Sequence, residues 1–80
     1  MAKLYVGNLS YDARDSDLHA AFAEHGAVAG ASVTVESYSK QSRGYGFVEM
    51  PDSDEARSAV ESLNGRDLHG QAIVVRVVIP

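Results

Sequence analysis

The chain has 80 residues, 45% of them hydrophobic, and a formal net charge of −4. That length makes one small domain, residues 1–80, with a thin core, and the absence of cysteine excludes disulfides, thiolate metal sites and thiol chemistry. No secretory leader follows Met1-Ala2-Lys3 and no apolar run is long enough to span a bilayer, so a cytoplasmic protein with no membrane partner is expected.

Leu4-Tyr5-Val6-Gly7-Asn8-Leu9 is expected to open the domain as a strand, with Leu4 and Val6 on one face and Lys3, Tyr5 and Gly7 on the other. A loop over 8–12 leads to a helix from about Asp15 to His25, whose Leu18, Ala21 and Phe22 share a side. Asp12 with Asp15 imitates a capping box, and Asp15 alone is a second choice of cap; Gly26 is expected to end the helix in a left-handed conformation. Val28–Val35 is the second expected strand, with Ala31, Val33 and Val35 alternating against Gly30, Ser32 and Thr34. Residues 36–42 form a polar hairpin loop.

The third strand, Arg43-Gly44-Tyr45-Gly46-Phe47-Val48-Glu49-Met50, alternates in an unusual sense. Its even positions are small or apolar; its odd positions carry two rings and a cation. An ordinary half-buried strand keeps its rings inside. Rings on an open sheet face are flat platforms on which unpaired bases can stack, and Arg43 is a partner for phosphate. Gly44 and Gly46 are expected to let a helix approach closely on the inner face.

Pro51 breaks that strand, and Asp52 with Glu55 three residues later is a capping box. Ala56, Ala59, Val60 and Leu63 define a second amphipathic helix, stopped by Asn64-Gly65. Residues 66–70 read as a turn, and Ala72–Ile79 as a last strand with Ile73, Val75 and Val77 inward and Val74 and Val78 outward. The order βαββαβ implies an α+β, ferredoxin-like fold: a four-stranded antiparallel sheet, strands one and three central, with two helices on one face.

The negative net charge argues against a nucleic-acid partner, but its placement does not. Most of the acids fall in the helices and just before them, whereas Lys3, Lys40, Arg43 and Arg76 fall on or beside the ring-bearing face. The histidines, His19, His25 and His69, have neither metal-ligand nor catalytic spacing, and the helix-start acids are caps; no metal, cofactor or catalytic group is expected. Gly44-Tyr45-Gly46 lacks the third glycine and the following helix of a phosphate-binding loop.

Arg43–Met50 resembles the eight-residue signature of the RNA recognition motif family at seven positions, and Leu4–Leu9 resembles its six-residue partner. The similarity covers essentially the whole chain, and its compactness is closest to small single-domain bacterial members. It implies a non-catalytic binder of single-stranded RNA, or of single-stranded DNA; a monomer is expected, with weak self-association as the alternative. By the same resemblance Tyr5 and Phe47 would each stack on a base, Tyr45 would lie against ribose, and Arg43 would pair with phosphate. Asn8 would fix its turn. Arg76, Lys3 and Glu49 stand nearest the side chains that hydrogen-bond to bases. The chain departs from the pattern at Met50, where Phe or Tyr is usual, and at Arg14, where a Thr cap is common. Its second strand lacks basic residues, and a C-terminal arm beyond Pro80 is not expected.

Two other classes compete. The acidic balance and the outward Val74 and Val78 suit a protein-interaction or self-association module. A small acyl-phosphate hydrolase on the same fold needs an anion-cradling loop; Asn8 and Arg14 are its only candidates, without the required glycines.

Overall fold

The computed structural model describes residues 1–39 and 42–78. The elements run β1 (Ala2–Gly7), α1 (Asp15–Ala23), β2 (Gly30–Val35), β3 (Ser42–Met50), α2 (Ser53–Leu63), β4 (Asp67–Leu68), β5 (Gln71–Ala72) and β6 (Val74–Val77). β2, β3, β1 and β6 form, in that order, one antiparallel sheet with β1 and β3 at its centre. This is the expected ferredoxin-like arrangement. Among the described residues no helix is long and apolar enough to cross a membrane.

Alternation builds the core. Leu4 and Val6 of β1, and Val48 and Met50 of β3, are completely buried against Leu18 and Phe22 of α1 and Ala56, Ala59 and Leu63 of α2. Ile73 and Val75 extend the same layer at the edge strand. Met50 therefore packs inward, as its parity requires. Val77, the last residue of β6, shares that parity but stays 46% exposed.

Between Asp67 and Ala72 the chain makes a hairpin of its own where a plain turn is expected. His69 and Gly70, at φ 53° and 85°, supply the two left-handed residues of a two-residue β-turn. The Asp67 Oδ1 accepts from the Gly70 N–H at 2.9 Å.

The helix starts differ from the sequence reading. Neither Asp12 nor Asp15 caps α1. The helix begins after Arg14, and the Asp17 carboxylate reaches back to accept the Arg14 N–H at 2.8 Å. Asp15 instead accepts the Val33 N–H at 2.7 Å, tying α1 to β2. At α2 the Asp52 Oδ1 accepts from the N–H groups of Asp54 and Glu55, at 2.8 and 3.1 Å, as expected. Glu55 does not reciprocate; its Oε1 accepts the Ala27 N–H at 3.2 Å, across the domain. α1 ends at Ala23, short of His25, and Gly26 at φ 156° lies far from the left-handed helical region. The Glu55 side chain packs where a Cβ on Gly26 would stand, and that contact is why glycine suits the position.

The two glycines of β3 do different work. On Gly46 a Cβ would run into the Ser32 carbonyl, and would meet the Val33 Cα at 3.0 Å and the Leu18 Cδ1 at 3.1 Å. Helix and neighbouring strand thus both close on this position. Gly44 leaves ordinary room for a Cβ, 3.6 Å from its nearest neighbours, and so does not serve helix approach. Its φ of 83° accompanies an irregularity in pairing: β2 and β3 match at Val33–Gly46 and again at Val35–Ser42, so Thr34 alone faces Arg43, Gly44 and Tyr45.

Candidate nucleic-acid interface

The helices cover one face of the sheet; the other carries Tyr5, Tyr45 and Phe47. Tyr5 and Phe47 are direct cross-strand partners in the β1–β3 register, and Tyr45 follows Phe47's side of β3. The three rings meet pairwise, with centroids 6.0 Å apart for Tyr5–Tyr45 and Tyr5–Phe47, and 6.1 Å for Tyr45–Phe47. Their planes differ by 29°, 67° and 88° respectively, so the cluster is stacked at one side and edge-to-face elsewhere. All three are half-buried, each ring supported by its neighbours with part of its surface open.

Two cations lie on these rings. The Lys3 Nζ stands 4.7 Å from the centroid of Phe47, and the Arg76 guanidinium carbon 5.7 Å from that of Tyr5. Register explains both: Arg76 of β6 pairs across from Tyr5, and Lys3 precedes Tyr5 by two on the same face of β1. Glu49 is exposed directly across from Lys3.

Arg43 is placed elsewhere. The extra residues of β3 opposite Thr34, with the left-handed Gly44, interrupt the alternation that would align Arg43 with the rings. Its guanidinium makes a half-exposed ion pair with Glu36 at 3.2 Å. Both line a groove of about 960 Å³ bounded by the β1–α1 loop, the start of α1, Val33 and Val35. Val35 is 45% exposed there and does not join the core. Lys40 lies outside the described residues. Asn8, at φ 54°, holds the end of β1: its side-chain N–H donates to the Ala72 carbonyl at 2.8 Å, and its own carbonyl accepts from the Gln71 amide at 3.0 Å.

The site depends on one residue that strand parity alone underrates. A Cβ on Gly7 would lie 2.5 Å from the Tyr5 hydroxyl and under 3 Å from two carbons of its ring. The ring leans along β1 and rests on the space a side chain would fill. A glycine two places after an aromatic, on the same face, is the signal that points to this.

The face is electrostatically distinct. Lys3 and Arg76 accompany the rings against a single acid, Glu49, whereas the first turns of the helices carry Asp15, Asp17, Asp54 and Glu55. The Asp17 carboxyl is held below its ordinary pKa, first by the Arg14 backbone N–H and then by His69, whose Nε2 lies 3.3 Å away.

Comparison with known proteins bears on the family and the fold. The family model described as the RNA recognition motif matches residues 4–74. The putative RNA-binding protein RbpB of Nostoc is 40% identical over 77 residues, covering 96% of this chain and 75% of its own. The chloroplastic RNA-binding protein CP31B of Arabidopsis thaliana is 41% identical over 75 residues, 94% of this chain. This chain spans only about a quarter of CP31B, 26% of its length. Among solved structures, RNA binding protein PG1 superposes with a TM-score of 0.95 at 38% identity, covering 100% of this chain and 96% of its own. A Sex-lethal protein–RNA complex superposes at 0.88 with 28% identity, covering 95% of this chain and 47% of its own. The family match takes in both central strands and both helices, and the chain belongs to the RNA recognition motif family.

Proposed function

We propose that the chain binds single-stranded RNA, without catalysis, on the open face of its sheet. The observation that carries the reading is the cluster of Tyr5, Tyr45 and Phe47 on the two central strands, opposite the helices. The relatives named as RNA-binding proteins and the RNA complex of Sex-lethal support it. Tyr5 and Phe47 would each take a base, with Tyr45 against the sugar between them.

The cations already on the rings set the energetics. A base reaching Phe47 displaces the Lys3 ammonium, and one reaching Tyr5 displaces Arg76. An exposed cation–π contact contributes about 0.5–1 kcal/mol. Base–aromatic stacking contributes about 1–3 kcal/mol, so exchange favours the base. The displaced cations stay beside the ligand, where they meet its phosphates or base edges. With so few cations the affinity is expected in the micromolar range.

Fluorescence anisotropy with short labelled RNA pools tests this. Tyr5→Ala and Phe47→Ala are each expected to weaken binding by roughly tenfold or more while circular dichroism stays unchanged. Wild-type affinity in both variants would remove the reading.

A self-association reading draws on Val74 and Val77 of β6 and on Val78 just after it, which are 37%, 46% and 37% exposed. The outer backbone of that strand is partly taken, because the Asn64 Oδ1 accepts the Val75 N–H at 3.0 Å. Side-chain contact is therefore better suited than strand addition. Sedimentation that varies with concentration, without RNA binding, would favour this reading.

A further inference from the structure

Glu49 is the one acid carried by the four strands of the sheet, on a face whose cations would draw a polyanion. It follows Phe47 by two residues, so it lies on the ring side, roughly 7 Å along the strand. It stands across from Lys3 on one flank and Gly30 on the other. Gly30 offers no side chain to cover it; a Cβ there would come 3.9 Å from the Glu49 Oε1. The carboxylate makes no hydrogen bond or ion pair among the described residues, since Lys3 turns its ammonium onto Phe47 instead.

An unpaired carboxylate repels phosphate, and on a bare electrostatic count it only weakens binding. It contributes when the ligand donates hydrogen bonds to it. An ionised carboxylate is acceptor-only, with two oxygens. Among the four bases guanine alone turns two adjacent donors, N1–H and N2–H, toward such a group, with the acceptor O6 next to them. A base on Phe47 pushes the Lys3 ammonium off the ring, and the Lys3–Glu49 pairing leaves that ammonium at the same base edge. The carboxylate and the ammonium together match the guanine edge in donor and acceptor order.

We infer that Glu49, with Lys3, reads a guanine stacked on Phe47. The Glu49 carboxylate accepts from N1–H and N2–H, and the Lys3 ammonium donates to O6. The inference rests on the RNA-binding reading above and adds a base preference to it.

The test titrates labelled UUGUU, UUAUU, UUCUU and UUUUU against wild type, Glu49→Gln and Phe47→Ala. Glu49 is exposed, so Glu49→Gln leaves the core untouched. Wild type is expected to prefer UUGUU by about tenfold, within the range of a bidentate base contact. Glu49→Gln should lose that preference and shift toward UUAUU or UUCUU, because an amide presents one acceptor and one donor, which suits adenine or cytosine. A merely solvated Glu49 gives a different result: neutralisation raises affinity for all four RNAs alike and keeps their order. That result overturns the inference, as does a wild type that binds all four equally. If Phe47→Ala still weakens a flat wild type, RNA binding stands and only the guanine preference falls. A wild type that binds none of the four removes both readings.

Discussion

The outer edge of the Tyr5 ring rests on Gly7, two residues along the same strand, with the hydroxyl 2.5 Å from where a Cβ would stand. Gly7 has no positive φ, so its backbone accepts alanine; the obstruction is the end of a movable side chain. Gly7→Ala is expected to leave the urea midpoint within about 1 kcal/mol of wild type, because the ring can swing away. RNA affinity should fall severalfold, since the platform at Tyr5 is then misaligned. Unchanged affinity in anisotropy would show that the ring's present pose is not needed.

Gly46 behaves in the opposite way. A Cβ there meets the backbone of β2 and the Leu18 side chain, and neither the Ser32 carbonyl nor the Val33 Cα can move without shifting the strand. Gly46→Ala is expected to destabilise the fold by about 1–3 kcal/mol, as overpacking a closed site does. Urea denaturation read by far-ultraviolet circular dichroism measures it, and a loss below about 0.5 kcal/mol would contradict the close approach.

Acid stability should depend on Asp17. Its folded carboxyl is more acidic than the ordinary value of 3.8, owing to the Arg14 N–H and then His69. A depressed folded pKa gives stability that is present above the unfolded pKa and is lost as pH falls through the folded one. Wild type should therefore lose stability below pH 3.8. Asp17→Asn keeps an oxygen acceptor but has no charge to lose. It should be less stable than wild type at pH 5, with the gap closing as pH falls below 3.8. Urea midpoints across this range test it; a constant gap would rule out the Asp17 linkage.

Glu36 should act as a brake on Arg43. An exposed ion pair contributes about 0–1 kcal/mol, so a phosphate can compete for the guanidinium, but only against Glu36. Glu36→Gln is expected to raise RNA affinity a few-fold and to steepen the salt dependence by up to about 0.7 in log–log slope, one phosphate's worth on a single strand. Arg76→Ala should flatten the same slope by about 0.7. Titrations at several salt concentrations measure both, and slopes that do not change would place these arginines away from the phosphates.

Much of the fold was legible because its signals are local. The period-two alternation of Tyr45, Phe47 and Glu49 against Gly46, Val48 and Met50 announces an open face and a buried one, whatever the strand pairs with. Pro51, the Asp52 cap and the helical spacing of Ala56, Ala59 and Leu63 place α2 in the same local way. The α1 cap was harder to read, since several acids near its start offer acceptors. Asp15 is drawn away by the Val33 N–H of a strand 18 residues distant, and Asp17 takes the capping role.

The amino-acid order by itself determined that two strands would carry rings on the side away from the helices, since each side chain's face follows from its own strand's parity. Only the tertiary structure decided which ring each cation meets, and that Arg43 leaves that face. Lys3 and Arg76 arrive through the register of β1 with β3 and β6, and Arg43 is diverted to Glu36 where β3 accommodates extra residues against β2. Register joins residues far apart in the chain, and no short-range pattern encodes it.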